Sequence, residues 1–203
     1  MANVSELIQN LRAQTGAGVL DIKKALDETD NDEEKAVEIL RKRGQDVAAK
    51  KAGRSTSQGV IMSYIHMDKI GTMVEVNCET DFVARNEEFK ALAKDIAMQI
   101  ASMNPLYISE EDVPAEVVAK EREIYAEQTD KDLDQKVKDQ IVEGKLKKYF
   151  KEVCLLNQLY FKDEDKTIQD VLTEAIGKIG ENIQIRRFCR FALDDNDKCN
   201  GAG

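Results

Sequence analysis

The chain has no tryptophan, one histidine and two prolines, and its four cysteines lie far apart. Each scarcity removes a class of function. With only His66 to assist them, Cys78, Cys154, Cys189 and Cys199 form no CxxC pair and no zinc-ligand spacing, so reduced thiols and no metal site are expected. The first three suit burial as small hydrophobes, whereas Cys199 lies in a polar tail where a thiol is open to solvent. Thr15-Gly16-Ala17-Gly18 lacks a preceding strand and the Walker lysine, and reads as a helix-connecting turn rather than a phosphate loop. His66 and Cys78 are near enough in sequence to share a hairpin, yet no third residue orients such a pair. Neither enzyme chemistry nor a cofactor is expected. No apolar run approaches the ~20 residues of a membrane span, and the opening MANVSELIQN lacks the basic-then-apolar order of an export signal. A cytoplasmic protein is the expectation.

Positive charge is also short. Thirty Lys and Arg face thirty-nine Asp and Glu, a formal net charge of −9, which disfavours phosphate backbones and anionic lipid. Neither a nucleic acid nor a membrane is therefore expected as partner. The basic residues of 41–54 and Arg186, Arg187 and Arg190 read as a solvated helix end and strand face.

What is present is a patterned apolar complement, 42% of the chain, enough for a proper core. Asn3 and Glu6 have capping-box spacing, and Val4, Leu7, Ile8 and Leu11 then share one helical face up to Gly16. Val19, Ile22, Ala25 and Leu26 make a second stripe. Ala36, Val37 and Leu40 make a third, between Asn31-Asp32-Glu33-Glu34 and Arg41-Lys42-Arg43-Gly44, whose charges complement the helix dipole. These patterns predict a three-helix domain over 1–53. Lys50 to Gln58, KKAGRSTSQ, is basic, small and aperiodic, and reads as an exposed linker to a second domain over 54–203.

Val60 to His66 and Thr72 to Cys78 are β-rich runs, predicting an antiparallel hairpin with Gly71 supplying the turn geometry and with Val74, Val76 and Cys78 on the core face. Glu79 to Arg85 forms a turn into a helix capped by Asn86, with the stripe Phe89, Leu92, Ala93, Ile96, Ile100 and Met103, closed at Pro105. Two charged stretches over 114–154 carry narrow stripes, Val117, Val118, Ile124 and Tyr125, then Leu133, Val137, Ile141 and Leu146. They predict a projecting helical hairpin. Thr167 and Asp170 start a helix bearing Ile168, Val171, Leu172, Ala175, Ile176 and Ile179. A strand from Asn182 to Ala192 follows, in which Arg187 and Phe188 break the alternation. The class is α+β. Phe82 is the anomaly: an aromatic in a turn either folds back onto the sheet or projects as an anchor, and composition favours the folded-back arrangement.

The stretches LRAQTGAGVLDIKKAL, VEVNCETDFVARNEEF, DVPAEVVAKEREI, VEGKLKKYFKEVCLLNQ and GENIQIRRF, running from Leu11 to Phe188, resemble the elongation factor Ts family. The resemblance implies a ubiquitin-associated-like domain over 1–53 that docks on the translation GTPase elongation factor Tu through the region of Arg12, Val19 and Leu20. An α+β core carrying the hairpin 114–154 follows it. The implied function is binding of the GDP-bound and nucleotide-free GTPase, with GDP release promoted by disturbing its magnesium and phosphate site so that GTP can reload. Thr80, Asp81, Phe82 and Val83, the TDFV turn, are implied to dislodge that magnesium, with Phe82 as the wedge. Many members carry Met-Met where Val19 and Leu20 stand here. The chain also resembles the short form, with one copy of a strand-and-helix module that longer relatives carry twice. A homodimer, free or in a two-to-two complex with the GTPase, would supply the second copy.

Overall fold

The computed structural model describes residues 3–130 and 132–193. Cys199 lies outside the described residues. The elements, in chain order, are α1 (Val4–Thr15), α2 (Val19–Glu28), α3 (Glu33–Lys51), β1 (Gln58–His66), β2 (Ile70–Cys78), α4 (Asp81–Ala84), α5 (Glu87–Met103), α6 (Ala115–Glu127), α7 (Gln135–Val153), β3 (Leu159–Tyr160), β4 (Asp163–Thr167), α8 (Ile168–Ile179) and β5 (Ile183–Ala192). The architecture is α+β, as the sequence predicts. β2 is the central strand of a three-stranded sheet ordered β1-β2-β5, and β3 and β4 form a separate antiparallel pair. Among the described residues no helix is long and apolar enough to cross a membrane.

The chain divides into two compact units, one gathering the described residues of Met1–Ile61, Glu75–Ala93 and Asp170–Arg186, the other those of Met62–Val74, Lys94–Gln169 and Arg187–Gly203. In the first, Asn3 and Glu6 form the expected capping box and Gly16 ends α1 in the left-handed region at φ 67°. Leu7, Leu11, Ile22, Ala25, Leu26, Ala36 and Leu40 close a core of their own, built only from α1, α2 and α3. The expected end of α3 at Gly44 is corrected: the helix runs on to Lys51. Gly44 sits inside it with open space around it, since a Cβ there would meet nothing within 4 Å. The continued helix brings Lys51 to the Gly180 carbonyl, to which its ammonium donates. The expected linker is correspondingly shorter, since its first two residues are helical and Gln58 already belongs to β1.

In the second unit the β1–β2 turn differs from expectation. Met67 and Asp68 take positive φ, 48° and 57°, and Lys69 N–H closes the turn on His66 carbonyl at 3.0 Å, while Gly71 lies within β2 without a left-handed φ. Paired left-handed residues match the right-handed twist of a tight hairpin, and Asp tolerates that region well. Thr72 Oγ1 donates to Ala97 carbonyl at 2.9 Å, seating α5 on β2. That helix ends at Met103, with Asn104 at φ 47°, and Met103 is exposed rather than part of the stripe. Helices α6 and α7 pair with one another over the expected span; none of α6 is fully buried, and Val142 and Leu146 are the buried residues of α7. The β3–β4 pair, unforeseen in the charged run 159–167, is held from below: Gln99 Nε2 donates to Leu159 carbonyl at 2.9 Å, and its Oε1 accepts from Phe161 N–H at 3.0 Å.

Val74 and Val76 have no solvent exposure, whereas Val137 and Ile141 are 41% and 36% exposed. Replacing Val74 and Val76 by Ala together should remove roughly 2 kcal/mol or more per site, through lost burial and the cavities left behind. The Val137→Ala, Ile141→Ala pair should cost under about 1 kcal/mol per site. Urea unfolding of the two double variants gives the order; the reverse order would place the hairpin stripe in the core.

Candidate functional site

Strand β2 ends at Cys78 and the chain turns at once into α4. Thr80 is the N-cap, its hydroxyl oxygen accepting from Val83 N–H at 3.4 Å. The same hydroxyl donates to Glu181 Oε1 at 2.6 Å. Glu181 Oε2 accepts from the backbone N–H groups of Glu79 at 3.1 Å and of Thr80 at 3.0 Å. The tie also runs the other way. Glu79 Oε1 accepts from Asn182 N–H at 2.7 Å, and Arg54 Nη1 stands 3.5 Å from Glu79 Oε2. These contacts, Asn182 N–H first, hold the Glu79 carboxyl below its ordinary range. Asn182 Nδ2 donates further to the carbonyls of Ala52 at 3.3 Å and Arg54 at 2.9 Å, and the Lys51 ammonium donates to Gly180 carbonyl.

Charge-assisted bonds of this kind are stronger than neutral ones, so the turn is held on two crossed carboxylates. A thiol seals its base: Cys78 Sγ donates to Thr80 carbonyl at 3.2 Å, and burial, reinforced by the Glu181 carboxylate, pushes that thiol up to about 11. It stays protonated at neutral pH and is no nucleophile. Cys154 is likewise buried and pushed up to about 12, and Cys189 is only partly covered. The His66 ring nitrogen Nδ1 lies 3.0 Å from the Tyr64 hydroxyl, so His66 and Cys78 each bond elsewhere. Among the described residues no three His, Cys, Asp or Glu side chains converge as a metal-ligand group.

On this base the rest of the turn is set by helix geometry. Ala84 is buried and roots α4; Phe82, two residues earlier, stands about 200° around the axis and points away. Its ring is 82% exposed, which corrects the folded-back arrangement favoured by composition. Asp81 Oδ2 pairs with Arg85 at 3.0 Å on the surface, and Val83 is half-buried.

A family model described as Elongation factor TS matches residues 2–175. The chain belongs to the elongation factor Ts family. It is 55% identical over 193 residues to the elongation factor Ts of Thermodesulfovibrio yellowstonii, covering 95% of this chain and 97% of that one. It is 54% identical over 191 residues to the elongation factor Ts of Thermotoga petrophila, covering 94% and 96%, and 52% identical over 194 residues to that of Desulfotalea psychrophila, covering 95% and 99%. These are elongation factors of protein biosynthesis.

In this chain Thr80, Asp81, Phe82 and Val83 form one continuous turn. Arg12, Val19 and Leu20 lie around the α1–α2 loop instead, Arg12 exposed in the last turn of α1 and Val19 and Leu20 44% and 74% exposed at the start of α2. The Lys178 stem crosses that loop so closely that a Cβ on Gly16 would come within 2.8 Å of its Cδ, while its ammonium reaches Glu88 at 2.9 Å. Sequence reasoning missed Glu181, Asn182 and Glu79. The available signal is Gly180-Glu181-Asn182 between α8 and β5, a polar triplet with no apolar role in either element.

Because Phe82 is so exposed, Phe82→Ala should leave folding stability within about 0.5 kcal/mol of the parent. Thermal melts followed by circular dichroism test this. A loss of several kcal/mol would mean that the ring packs on the core in solution.

Proposed function

We propose that this chain is a guanine-nucleotide exchange factor that binds elongation factor Tu in its GDP-bound and nucleotide-free forms and promotes GDP release by disturbing the magnesium and phosphate site. The observation that carries the reading is Phe82, a large apolar ring 82% exposed on a turn anchored by charge-assisted hydrogen bonds. A rigidly based, solvent-exposed aromatic is the kind of residue that dominates protein interfaces, since its apolar area is desolvated at little entropic cost. Inserted into the GTPase, it biases the elements around the nucleotide toward an arrangement that holds magnesium poorly. The magnesium offsets the diphosphate charge, so its loss weakens GDP binding and allows GTP to reload. Asp81 assists electrostatically: its exposed pair with Arg85 contributes little stability, and the carboxylate can leave Arg85 for a cation of the partner at small cost.

No covalent bond is made or broken, so the protein is an exchange factor and not an enzyme. Its effect is a coupling free energy, and reciprocity requires GDP to weaken the exchange factor's own binding equally. The separate core of α1, α2 and α3 supports a docking domain over 1–53 of the ubiquitin-associated-like kind, with Arg12, Val19 and Leu20 as its contact; 54–203 then carries the wedge and the hairpin 114–154. Val19 and Leu20 keep an apolar contact in place of the adaptable Met-Met pair. The work is done in the cytoplasm, where the GTPase is.

A second element of the reading is self-association. In the second unit Ile65, Met67, Met73, Phe191 and Leu193 are exposed, and Met73 lies on the sheet face opposite Val74. Exposed apolar residues on the strands and at their ends favour a partner surface, and a homodimer, free or in a two-to-two complex with the GTPase, would cover them. Sedimentation equilibrium should return a dimer for the parent and a monomer for Met73→Glu; a parent that is monomeric at tens of micromolar removes the homodimer.

Release of a fluorescent GDP from purified elongation factor Tu tests the main reading. Phe82→Ala should slow the stimulated release substantially when magnesium is plentiful, and the deficit should shrink once a chelator has removed the ion, because depletion then performs the step that Phe82 performs. Equal deficits at every magnesium level would reject magnesium displacement as the route. Unchanged release at every level would remove Phe82 from the mechanism.

A further inference from the structure

Most of the Phe82 ring lies in solvent, so the direction in which it leaves the surface is set by the backbone from Glu79 to Val83. A four-residue helix such as α4 is too short to hold itself, since nucleating one turn costs more than its few hydrogen bonds return. What holds it comes from outside. Of the bonds that fix this backbone, those to Glu79 N–H, Thr80 N–H and the Thr80 hydroxyl all end on one side chain, 101 or 102 residues away in sequence.

We propose, on the reading of Phe82 as the wedge, that Glu181 is its positioning residue, holding the Thr80–Val83 turn through Thr80 so that the ring meets the GTPase in one direction. The chemistry is that of a shared hydroxyl. Thr80 has a single hydroxyl proton; with that proton committed to Glu181 Oε1, its lone pairs face α4 and accept from Val83 N–H. Glu181 thereby sets the N-cap as well as the strand end, and the two bonds polarise one another along the chain carboxylate, hydroxyl, amide. Removing the carboxylate frees the hydroxyl to rotate and leaves the Glu79 and Thr80 N–H groups to solvent, so the turn samples other directions while Arg12, Val19 and Leu20 are untouched. Asn182 and Glu79 complete the clasp from the opposite side and keep the two strand ends together.

The test uses the full chain with purified elongation factor Tu loaded with fluorescent GDP. Glu181→Ala should lower the maximal rate of GDP release about tenfold, a change of about 1.4 kcal/mol. The concentration giving half that rate should change little, because docking is intact. Glu181→Gln should retain most of the rate, since its amide oxygen still accepts the two backbone N–H groups and its NH2 can donate to Thr80. Hydrogen exchange at the Glu79 and Thr80 amides should speed up in Glu181→Ala and stay slow in Glu181→Gln. The double variant Glu181→Ala, Phe82→Ala should be no slower than Phe82→Ala alone. Glu181→Asp, which keeps the charge but is one methylene short, should show the same ordering in smaller measure and decides the matter if the alanine protein unfolds. A Glu181→Ala or Glu181→Asp protein with the parental rate overturns the proposal, as does a double variant slowed by the product of the two single effects. A parental rate for Phe82→Ala instead overturns the wedge itself.

Discussion

The turn that carries Phe82 exists because two carboxylates cross between the end of β2 and the start of β5. Glu181 accepts from the Glu79 and Thr80 backbone, and Glu79 accepts from the Asn182 backbone, so each strand end supplies the anion that satisfies the other's donors. Backbone N–H groups at a strand end have lost their ladder partners and need new ones. Bringing residues so far apart in sequence together would carry a large closure entropy if these bonds acted alone. The sheet has already met that cost by placing β5 beside β2, so the clasp acts on ends that are adjacent. Leu193 N–H, bonded to Lys69 carbonyl at 3.0 Å, closes the other end of β5.

The same economy governs the second unit, where the polar bonds that matter are the buried ones. Gln99 and Gln158 are almost without exposure and bond each other, Gln99 Nε2 donating to Gln158 Oε1 at 3.4 Å; both also bond backbone, Gln99 at Leu159 and Phe161, Gln158 at the carbonyls of Glu152 and Met103. A buried amide left unpaired would be destabilising by more than its bonds contribute when made, so such residues fix one arrangement of the short β3–β4 pair. Asp95 adds a second hold, accepting from the Tyr160 hydroxyl and the Lys162 ammonium, both at 2.6 Å. Exposed ion pairs such as Lys35 with Asp32 or Lys90 with Glu87 contribute far less, being solvated and screened. They do not decide the shape of the surface.

Helix-period stripes and strand alternation in the chain already mark the three N-terminal helices, the β1–β2 pair, α5, the α6–α7 hairpin, α8 and β5, because burial on one face writes itself into the local order of residues. Phe82 stands out in the chain as an aromatic in a turn, while a role for the whole TDFV turn is implied only by the family resemblance. Four features were decided by the tertiary structure. Gly44 does not end α3, which runs on to Lys51, where the ammonium donates to the Gly180 carbonyl. Met67 and Asp68, not Gly71, take the left-handed turn, since strand twist selects the position. Phe82 points outward, since Ala84 is the residue that roots α4. Glu181 holds Thr80 from a hundred residues away. Periodicity records what each element buries; it carries no trace of a hydrogen bond between residues whose nearness exists only after the strands have paired.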